Sequence, residues 1–458
     1  MKKGYITVFF ALVFVVILSF ILSVLEGLKV NATRLKAECG FSIAANSVLG
    51  EYHKELLENY ELFYIDTSYQ TSIPNYHYVE AHFWEYLEEN FGGEIQSIEL
   101  DGITLATDQN GVFFRKQISS YMEDEIGVSY IDKIKENFDI VSTNGFLGES
   151  KGNENVLGEW QNIMQSNEKI SEDTWNQVEM YYPIEEMSNT KKSFVLEQVL
   201  DSQDKVSEQK VSLENCVSKR ECIVGTGEYE ELGFMDKVYF MEYVFRKFGN
   251  FVNSDEEDIL AYEIEYLIGG KGSDYENLSE VVKKMLLLRE GANLSYLITD
   301  SEKMLFIQNF SLAIATLVCC PEIEPVITAS IVGIWSYMES IEDIKVLLHE
   351  GKIPLLKTKD TWNTDLDNAF QISFSKKEQV KNDEGMDYNE YLQLLLLFSD
   401  NESLTFRCMD LIELDIRQIE GNEAFRMDGL AENFSINIVF DISMFGSYQI
   451  VRKFGYFS

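Results

Sequence analysis

An uncharged apolar segment runs from Tyr5 to Leu25, directly after two lysines and a glycine. Sixteen of its 21 residues are Leu, Ile, Val or Phe. As a helix it would be about 31 Å long, which matches the hydrocarbon core of a bilayer. A cleaved export signal has a shorter apolar region and a small-residue cleavage site, and no such site follows directly here. We therefore expect a cytoplasmic tail of residues 1–4 and a retained transmembrane helix over residues 5–25.

Apolar residues continue at helical spacing beyond this span. Positions three and four residues apart, among them Leu35, Leu49 and Leu56, continue to Tyr60, and no proline interrupts them. This spacing is typical of an amphipathic helix with one packed face. We expect a single helix that leaves the membrane and continues to near Tyr60, within an extended packing region of residues 26–64.

A period of two replaces the helical period in two places. Residues 94–107 alternate as a strand, and residues 436–457 alternate around a Gly-Ser turn as a terminal β-hairpin. The rest of the periodic segments indicate helices. The predicted fold class is therefore α+β: a long N-terminal transmembrane helix that extends into a mostly helical ectodomain. This ectodomain would comprise residues 65–140 and 216–458, with a small antiparallel or mixed sheet that includes the hairpin.

The pattern in two other segments is compatible with more than one structure. Residues 141–215 are polar and partly rich in Gly and Asn, which predicts an insertion or linker. Residues 305–338 form the second most apolar stretch, but its longest uncharged run is only about 18 residues long and contains Gln308 and Asn309. We expect a buried helical hairpin there, and not a second membrane span.

Composition excludes several classes of protein. The formal net charge of the chain is −39, so nucleic acid would be repelled. An acidic surface keeps an exported domain soluble, and it also suits a divalent cation or a basic partner. Six cysteines do not form a disulfide framework in 458 residues. Cys216 and Cys222 stand in a polar context, where they could close a small disulfide loop outside the cell or remain two free thiols.

Short motifs give no support for catalysis. Residues 148–152 match the G-x-S-x-G pattern without its strand and helix, and GGKGS at 269–273 departs from the phosphate-loop order and suits a helix cap. His77 and His82 lie among aromatic residues and lack the spacing of a zinc helix. The acidic run at 254–258 suits the first turn of a helix. We expect no enzyme activity, no cofactor and no metal site.

The segment GYITVFFALV, which begins at Gly4, resembles the start of pilin-like proteins of tight-adherence (Tad-type) pilus systems. The longer pattern, with LEGLKVNATRLKAE, AYEIEYLIGGKGSDYENL and RCMDLIELDIR, resembles an uncharacterised Gram-positive bacterial family of unknown function that is associated with such systems. The resemblance implies a membrane-anchored surface protein with a pilin-like first helix. It also implies a possible processing site between Gly4 and Tyr5.

One position departs from the pilin pattern. Phe9 stands where pilins carry a glutamate that pairs with the N-terminus of a neighbouring subunit, and the nearest acid is Glu26. An unpaired charge inside the membrane is costly, so we expect no homopolymer. We expect a minor or accessory component that contacts other pilin-like or envelope-assembly proteins through a seam of Phe9, Glu26, Leu35, Leu49 and Leu56.

Two functions from different classes remain. One is a single-pass cell-surface protein with a structural or assembly role, and the other is a tethered extracellular binding or sensing domain, or an envelope enzyme without a recognisable motif. A long first helix packed along a closed domain would favour the first function. A cleft lined by convergent acids or histidines would favour the second.

Overall fold

The structure is a computed structural model. The residues that it describes are 2–69, 71, 73–123, 128–146, 176–178, 195–200, 205–228, 231–255, 258–364, 385–442 and 446–456. The helices are α1 (Lys2–Leu49), α2 (Lys54–Tyr60), α3 (His77–Phe91), α4 (Asp108–Met122), α5 (Val128–Asn144), α6 (Val195–Val199), α7 (Phe234–Lys247), α8 (Glu263–Gly269), α9 (Asp274–Thr299), α10 (Ser301–Leu317), α11 (Glu324–Leu348), α12 (Tyr388–Phe398) and α13 (Asn401–Ile416). The strands are β1 (Ile65–Asp66), β2 (Ile95–Leu105), β3 (Leu430–Asp441) and β4 (Ser447–Gly455).

The chain forms two compact units, and each is assembled from separated segments. Unit 1 consists of Met1–Tyr121, Glu214–Asp236 and Met409–Ser458. Unit 2 consists of Met122–Leu213 and Lys237–Cys408. Most of the predicted insertion at 141–215 lies outside the described residues, so the predicted domain boundaries stay a prediction.

The sheet of unit 1 is antiparallel, and β3 pairs with each of the other three strands. The β3–β4 hairpin places Phe434 opposite Phe454 and Ile438 opposite Ile450. From Phe434 onward alternate residues of β3 are buried, as the period of two requires, whereas its first residues, Leu430 to Asn433, are all buried. The α+β class, the small antiparallel sheet and the terminal hairpin are therefore confirmed.

The last turns of α1 form part of the core of unit 1. Ala37, Phe41, Ala44, Ala45 and Val48 are fully buried, at the spacing of one helical face. They lie in one hydrophobic cluster with residues of α3 and of β2, β3 and β4. Four of these five residues are Ala or Val, and such small side chains let a helix approach a sheet closely.

The structure corrects two details of the first helix. The predicted single helix to Tyr60 is wrong, because α1 ends at Leu49 and α2 begins at Lys54. The break is fixed by Tyr52, which bridges to Ile65 beside the sheet. The predicted packing face is also wrong: the stripe that includes Leu35 points to solvent, and the face with the smaller residues is the buried one.

Unit 2 is helical in its described part. The predicted hairpin at 305–338 is present as α10 and α11, joined by a short 3-10 turn at Pro321–Ile323. The helix α11 is mostly buried and packs on α9, whereas α10 leaves several large apolar side chains exposed. In the part of the chain that the structure describes, α1 is the one helix long and apolar enough to cross a membrane.

Candidate functional site

A cleft of about 570 Å³ opens in unit 1 beside the end of α1. Its walls come from the turn after α1, from the segment after β1, from α3 and from the loop between α13 and β3. The lining residues are Glu51, Tyr52, His53, Lys54, Glu55, Asp66, Ser68, Tyr69, His82, Glu420, Gly421, Asn422, Glu423, Ala424 and Phe425. This volume is within the usual range of small-molecule sites.

Three side chains of unit 1 hold Glu51 in the wall of the cleft. Its Oε2 accepts a hydrogen bond of 2.7 Å from the Tyr69 hydroxyl, and its Oε1 accepts one of 2.7 Å from the Tyr86 hydroxyl. His82 Nδ1 lies 3.0 Å from Oε1. The hydrogen bond to Glu51 raises the pKa of Tyr86, whereas burial, followed by its bond to Glu51, raises the pKa of Tyr69. Both hydroxyls therefore remain protonated donors, and they fix the carboxylate in one orientation.

The turn after α1 places the other residues of this wall. His53 has an extended backbone, and its Nδ1 accepts a hydrogen bond of 3.2 Å from the Leu56 amide, so it caps α2. This bond requires Nδ1 to be the unprotonated ring nitrogen. The His53 ring packs on Phe425, with 4.7 Å between the ring centroids. The cap and the ring contact together hold the wall against the 420–425 loop.

The opposite wall contains a strained residue. Tyr69 has a φ of +45°, in the left-handed region that a bulky side chain rarely adopts. Its ring lies 4.2 Å from the His82 ring, between centroids, and its hydroxyl is bound to Glu51. Nearby, Asp66 accepts hydrogen bonds from both the amide and the hydroxyl of Ser68. Strain of this kind persists where surrounding contacts over-determine the conformation.

The charge of the lining is strongly one-sided. Five carboxylates line the cleft, and the one lysine in the lining is Lys54. Its Nζ lies 3.4 Å from Glu58 Oε1 on an exposed face of α2. Among the described residues no group of three or more His, Cys, Asp or Glu side chains has a geometry that could hold a metal ion.

The predicted N-terminal site residues lie on the exposed part of α1. Gly4 lies in the helix, and Tyr5 and Phe9 are 79% and 63% exposed. Glu26 is half-buried, and Leu35 is 67% exposed. Tyr5, Phe9 and Leu35 are accessible to lipid or to another helix, and the processing site itself stays a prediction.

The rest of the predicted assembly seam does not reach the surface as one stripe. Leu49 is partly buried and packs against the sheet core, and Leu56 is fully buried in α2. The helix break at residues 50–53 turns Leu56 away from the face that carries Leu35. Phe9 and Leu35 are exposed on α1, whereas the burial of Leu49 and Leu56 within unit 1 leaves these two little surface for a partner; the assembly seam itself stays a prediction.

The two polar-context cysteines are free thiols in this structure. Burial raises the pKa of Cys216 to about 12 and that of Cys222 to about 11. The Cys222 thiol lies 3.6 Å from the Val217 carbonyl oxygen. These surroundings describe inert structural thiols, and the alternative of a disulfide stays a prediction.

The remaining motifs have structural roles where they are described. Ser273 accepts the Glu276 amide and caps α9, so the capping interpretation of GGKGS is confirmed. His77 is exposed, and its Nδ1 lies 3.6 Å from Glu80 Oε2. Residues 148–152, the G-x-S-x-G pattern, lie outside the described residues.

Buried ion pairs in unit 1 were missed by sequence reasoning. Arg220 donates to both oxygens of Glu413 and also to Asp428, and both carboxylates are fully buried. Asp108 accepts the amides of Gly225 and Gly227. These bonds hold the 214–228 segment against the sheet and α13. Arg220 lies more than 190 residues before both of its acidic partners in the sequence, and no local pattern connects residues at that separation.

Unit 2 contains a second buried network. Lys357 lies 2.6 Å from Glu339 and 2.6 Å from Asp343, and Arg289 lies 3.0 Å from the same Asp343. Desolvation raises the pKa of Glu339, and the nearby Asp343 raises it further, against the effect of Lys357. All four side chains are fully buried. The network ties residues 351–364 to α9 and α11 and has no access to solvent, so its role is structural.

Comparison with known families gives one match. The model of a family of unknown function, DUF5702, matches residues 173–442, more than half of the chain. The protein belongs to the DUF5702 family. No curated protein and no solved structure matches the chain. The predicted membership of an uncharacterised family is thus confirmed, whereas this match gives no support for a link to Tad pili or to Gram-positive bacteria.

Proposed function

We propose that this DUF5702 protein is a single-pass membrane-anchored protein with a structural or assembly role at the cell surface. The observation that supports this proposal is the continuity of α1. Its apolar N-terminal part is exposed along the length that would cross a bilayer, and its last turns are buried in the core of unit 1. The anchor and the folded unit therefore share one helix, without a linker between them.

Contacts from the C-terminal hairpin make this connection stiff. Glu38 of α1 accepts a 2.6 Å hydrogen bond from the Tyr448 hydroxyl and pairs with Arg452 at 2.5 Å. The Tyr456 hydroxyl donates to the Leu49 carbonyl at 2.6 Å. A linker would let unit 1 reorient freely, whereas a shared helix with these contacts fixes its orientation to the anchor. Fixed orientation is useful to a component of an assembly and unnecessary for a freely searching receptor.

The finer proposal is an accessory, pilin-like component of a Tad-type system. It is supported by the resemblance of the first residues and by the form of α1, half membrane span and half packing helix. Phe9 is exposed at the position where pilins carry an acid, so we propose that the chain does not polymerise with itself. The bulk of the chain is proposed to be extracellular, with the N-terminus inside.

Labelling and fractionation of native cells test the anchor and its orientation. Cys39 and Cys319 are the exposed thiols among the described residues, so the labelling uses a C319S background. In that background a membrane-impermeant maleimide should label Cys39, beyond the span of α1, on intact cells, and the C39S/C319S variant is the matched control for that band. The protein should resist a high-salt wash and dissolve only in detergent. A soluble secreted chain that begins beyond Glu26 would refute the anchor.

Deletion of the gene in the native host tests the assembly role. We expect fewer or shorter surface filaments by electron microscopy, restored by the full-length chain. The matched variant would insert seven flexible Gly and Ser residues after Asn31, with seven helical Ala and Glu residues as control. Only the helical insertion should restore filaments if stiffness matters. Unchanged filaments in the deletion strain would contradict the assembly role, and filaments of this chain alone would contradict the argument from Phe9.

A second candidate function is supported by the cleft. Acids and histidines converge on a concave surface in unit 1, which is the arrangement expected of a tethered binding or sensing domain. Binding and anchoring are compatible, because the cleft and the exposed span of α1 involve different residues.

A further inference from the structure

We propose that the cleft beside the end of α1 binds an organic cation, a primary ammonium or guanidinium group on a carbon stem. This inference goes beyond the proposed structural role and does not depend on it. It rests on three observations together: a cavity of ligand size, a one-sided charge and aromatic rings in the same walls.

The charge of the cavity selects the sign of its ligand. Glu51, Glu55, Asp66, Glu420 and Glu423 line the space. In a concave site the surrounding low-dielectric walls concentrate the field of such groups. An anionic or neutral polar ligand would meet five carboxylates there, whereas a cation is attracted by all of them.

The aromatic walls favour an organic cation over a hydrated metal ion. Tyr52, Tyr69 and Phe425 share the cleft with the carboxylates, and Tyr52 is 39% exposed. Ammonium and guanidinium groups are attracted by aromatic faces within about 6 Å. The carbon stem of such a ligand can cover the rings while its charged end faces the acids.

The state of Glu51 gives a further reason. Both of its oxygens already accept hydrogen bonds, from Tyr69, Tyr86 and His82. A carboxylate held in this way has little remaining capacity to coordinate a metal directly, but its charge still attracts a cation across the cleft. Glu420 and Glu423 lie on the exposed 420–425 loop, where Glu423 Oε1 accepts a hydrogen bond of 3.2 Å from the Gly421 amide, and both carboxylates are open to solvent and to a ligand.

The cation could belong to a small amine or to a Lys or Arg side chain of a partner protein, and both sources share this chemistry. Calorimetric titration of the full chain in uncharged detergent distinguishes them. The probes are N-acetyl-lysine methylamide, its neutral norleucine analogue, spermidine and a capped tetralysine peptide. Saturable binding of the lysine and peptide probes, with the peptide tighter than spermidine, indicates a protein segment. The reverse order indicates a small amine.

Charge-neutralising variants assign the binding to the cleft. E420Q/E423Q should weaken binding of the preferred probe by roughly tenfold, and binding should also weaken as salt is raised. The matched control is E88Q/E89Q, which removes the same charge from exposed positions of α3 that do not line the cleft. It should lower the affinity much less than E420Q/E423Q does, because Glu88 and Glu89 are exposed to solvent and do not line the cleft.

The variant Tyr52→Leu tests the aromatic contribution while it preserves apolar bulk. The variant should bind the ammonium probes more weakly than wild type does, and its affinity for the norleucine analogue should be unchanged. Equal affinity for the lysine and norleucine probes, or equal affinity in the two double variants, would overturn the proposal. All the rim substitutions lie on exposed residues, so loss of the fold is not expected to obscure the result, and circular dichroism of each variant checks this.

Discussion

Glu265 links the pH of the surroundings to the stability of unit 2. It is fully buried in α8, where its Oε1 accepts hydrogen bonds from the Phe251 amide at 2.9 Å and from the Tyr388 hydroxyl at 2.7 Å. Its Oε2 has no hydrogen-bond partner among the described residues. Burial raises the pKa of Glu265 to about 7, against these two bonds and with a contribution from Asp274.

The sign of the effect follows from the two protonation states. The unfolded glutamate titrates near 4.5 and the folded one near 7, so the folded state binds the proton more tightly. Its contribution to stability is complete below about pH 4.5, declines as the pH rises and is lost above about pH 7. A pKa shift of this size changes the free energy of unfolding by about 3 kcal/mol, and most of this change occurs between pH 5 and pH 8.

The substitution Glu265→Gln isolates this effect, because glutamine resembles the protonated acid and does not titrate. Urea unfolding of the full chain in detergent, followed by tryptophan fluorescence, reports on unit 2 through the buried Trp335 and its neighbour Trp362. Wild type and variant should unfold at similar urea concentrations at pH 5. At pH 8 the variant should require about 1 M more urea.

A matched control removes a charge of the same sign from the surface of unit 2. Glu350→Gln changes an exposed side chain. It should shift the midpoint of urea unfolding by a small amount that is the same at both pH values. The reasoning would be refuted by an E265Q variant whose stability relative to wild type is the same at pH 5 and pH 8. It would also be refuted by a variant that is less stable than wild type at pH 8.

Three further outcomes are expected. Lys357→Met should lower the stability of unit 2 by about 3–5 kcal/mol in urea unfolding, because two buried carboxylates lose their shared cation, whereas exposed Lys359→Met should cost less than about 1 kcal/mol; equal effects would contradict the assignment. Phe41→Ala should cost about 3–5 kcal/mol in unit 1 and should increase amide exchange in the last turns of α1; an unchanged exchange pattern would contradict the packing. Iodoacetamide at pH 8 should label Cys216 and Cys222 without reductant, slowly in native protein and rapidly in urea, and labelling that requires reductant would establish the disulfide instead.

Periodicity predicted the elements of the fold well where a single face decides the structure. Strong local patterns are present in β2, in the β3–β4 hairpin and in the α10–α11 pair. The end of the first helix could not be predicted in this way, because it depends on Tyr52 and Ile65, which meet only in the folded unit. The buried face of α1 was missed for a related reason: small residues carry little weight in a hydrophobic pattern, yet they permit the closest packing.

The cleft could not be predicted from sequence. Its walls come from residues 51–55, 66–69 and 420–425 and from His82, and the last loop lies more than 350 residues from the first turn. No spacing rule connects such segments. The aromatic surroundings of His82 were recognised, but its partner Glu51 was not, because a lone glutamate after a helix is an ordinary feature.

The two ends of the chain depend on each other in unit 1. The helix α1 comes first, but residues that hold its last turns lie on β4, the last strand in the described part of the chain. Phe41 contacts the Phe454 ring at 5.3 Å between centroids, and Glu38 is bound by Arg452. Contacts of such large sequence separation form late in folding, since a long loop must close first. The contacts of α1 with α3, its near neighbour in the sequence, can form earlier, and the hairpin then completes the packing of the last turns of α1. Stiff coupling of the proposed anchor to unit 1 is therefore complete only when the whole unit has folded, which suits the proposed assembly role better than a cleaved signal sequence.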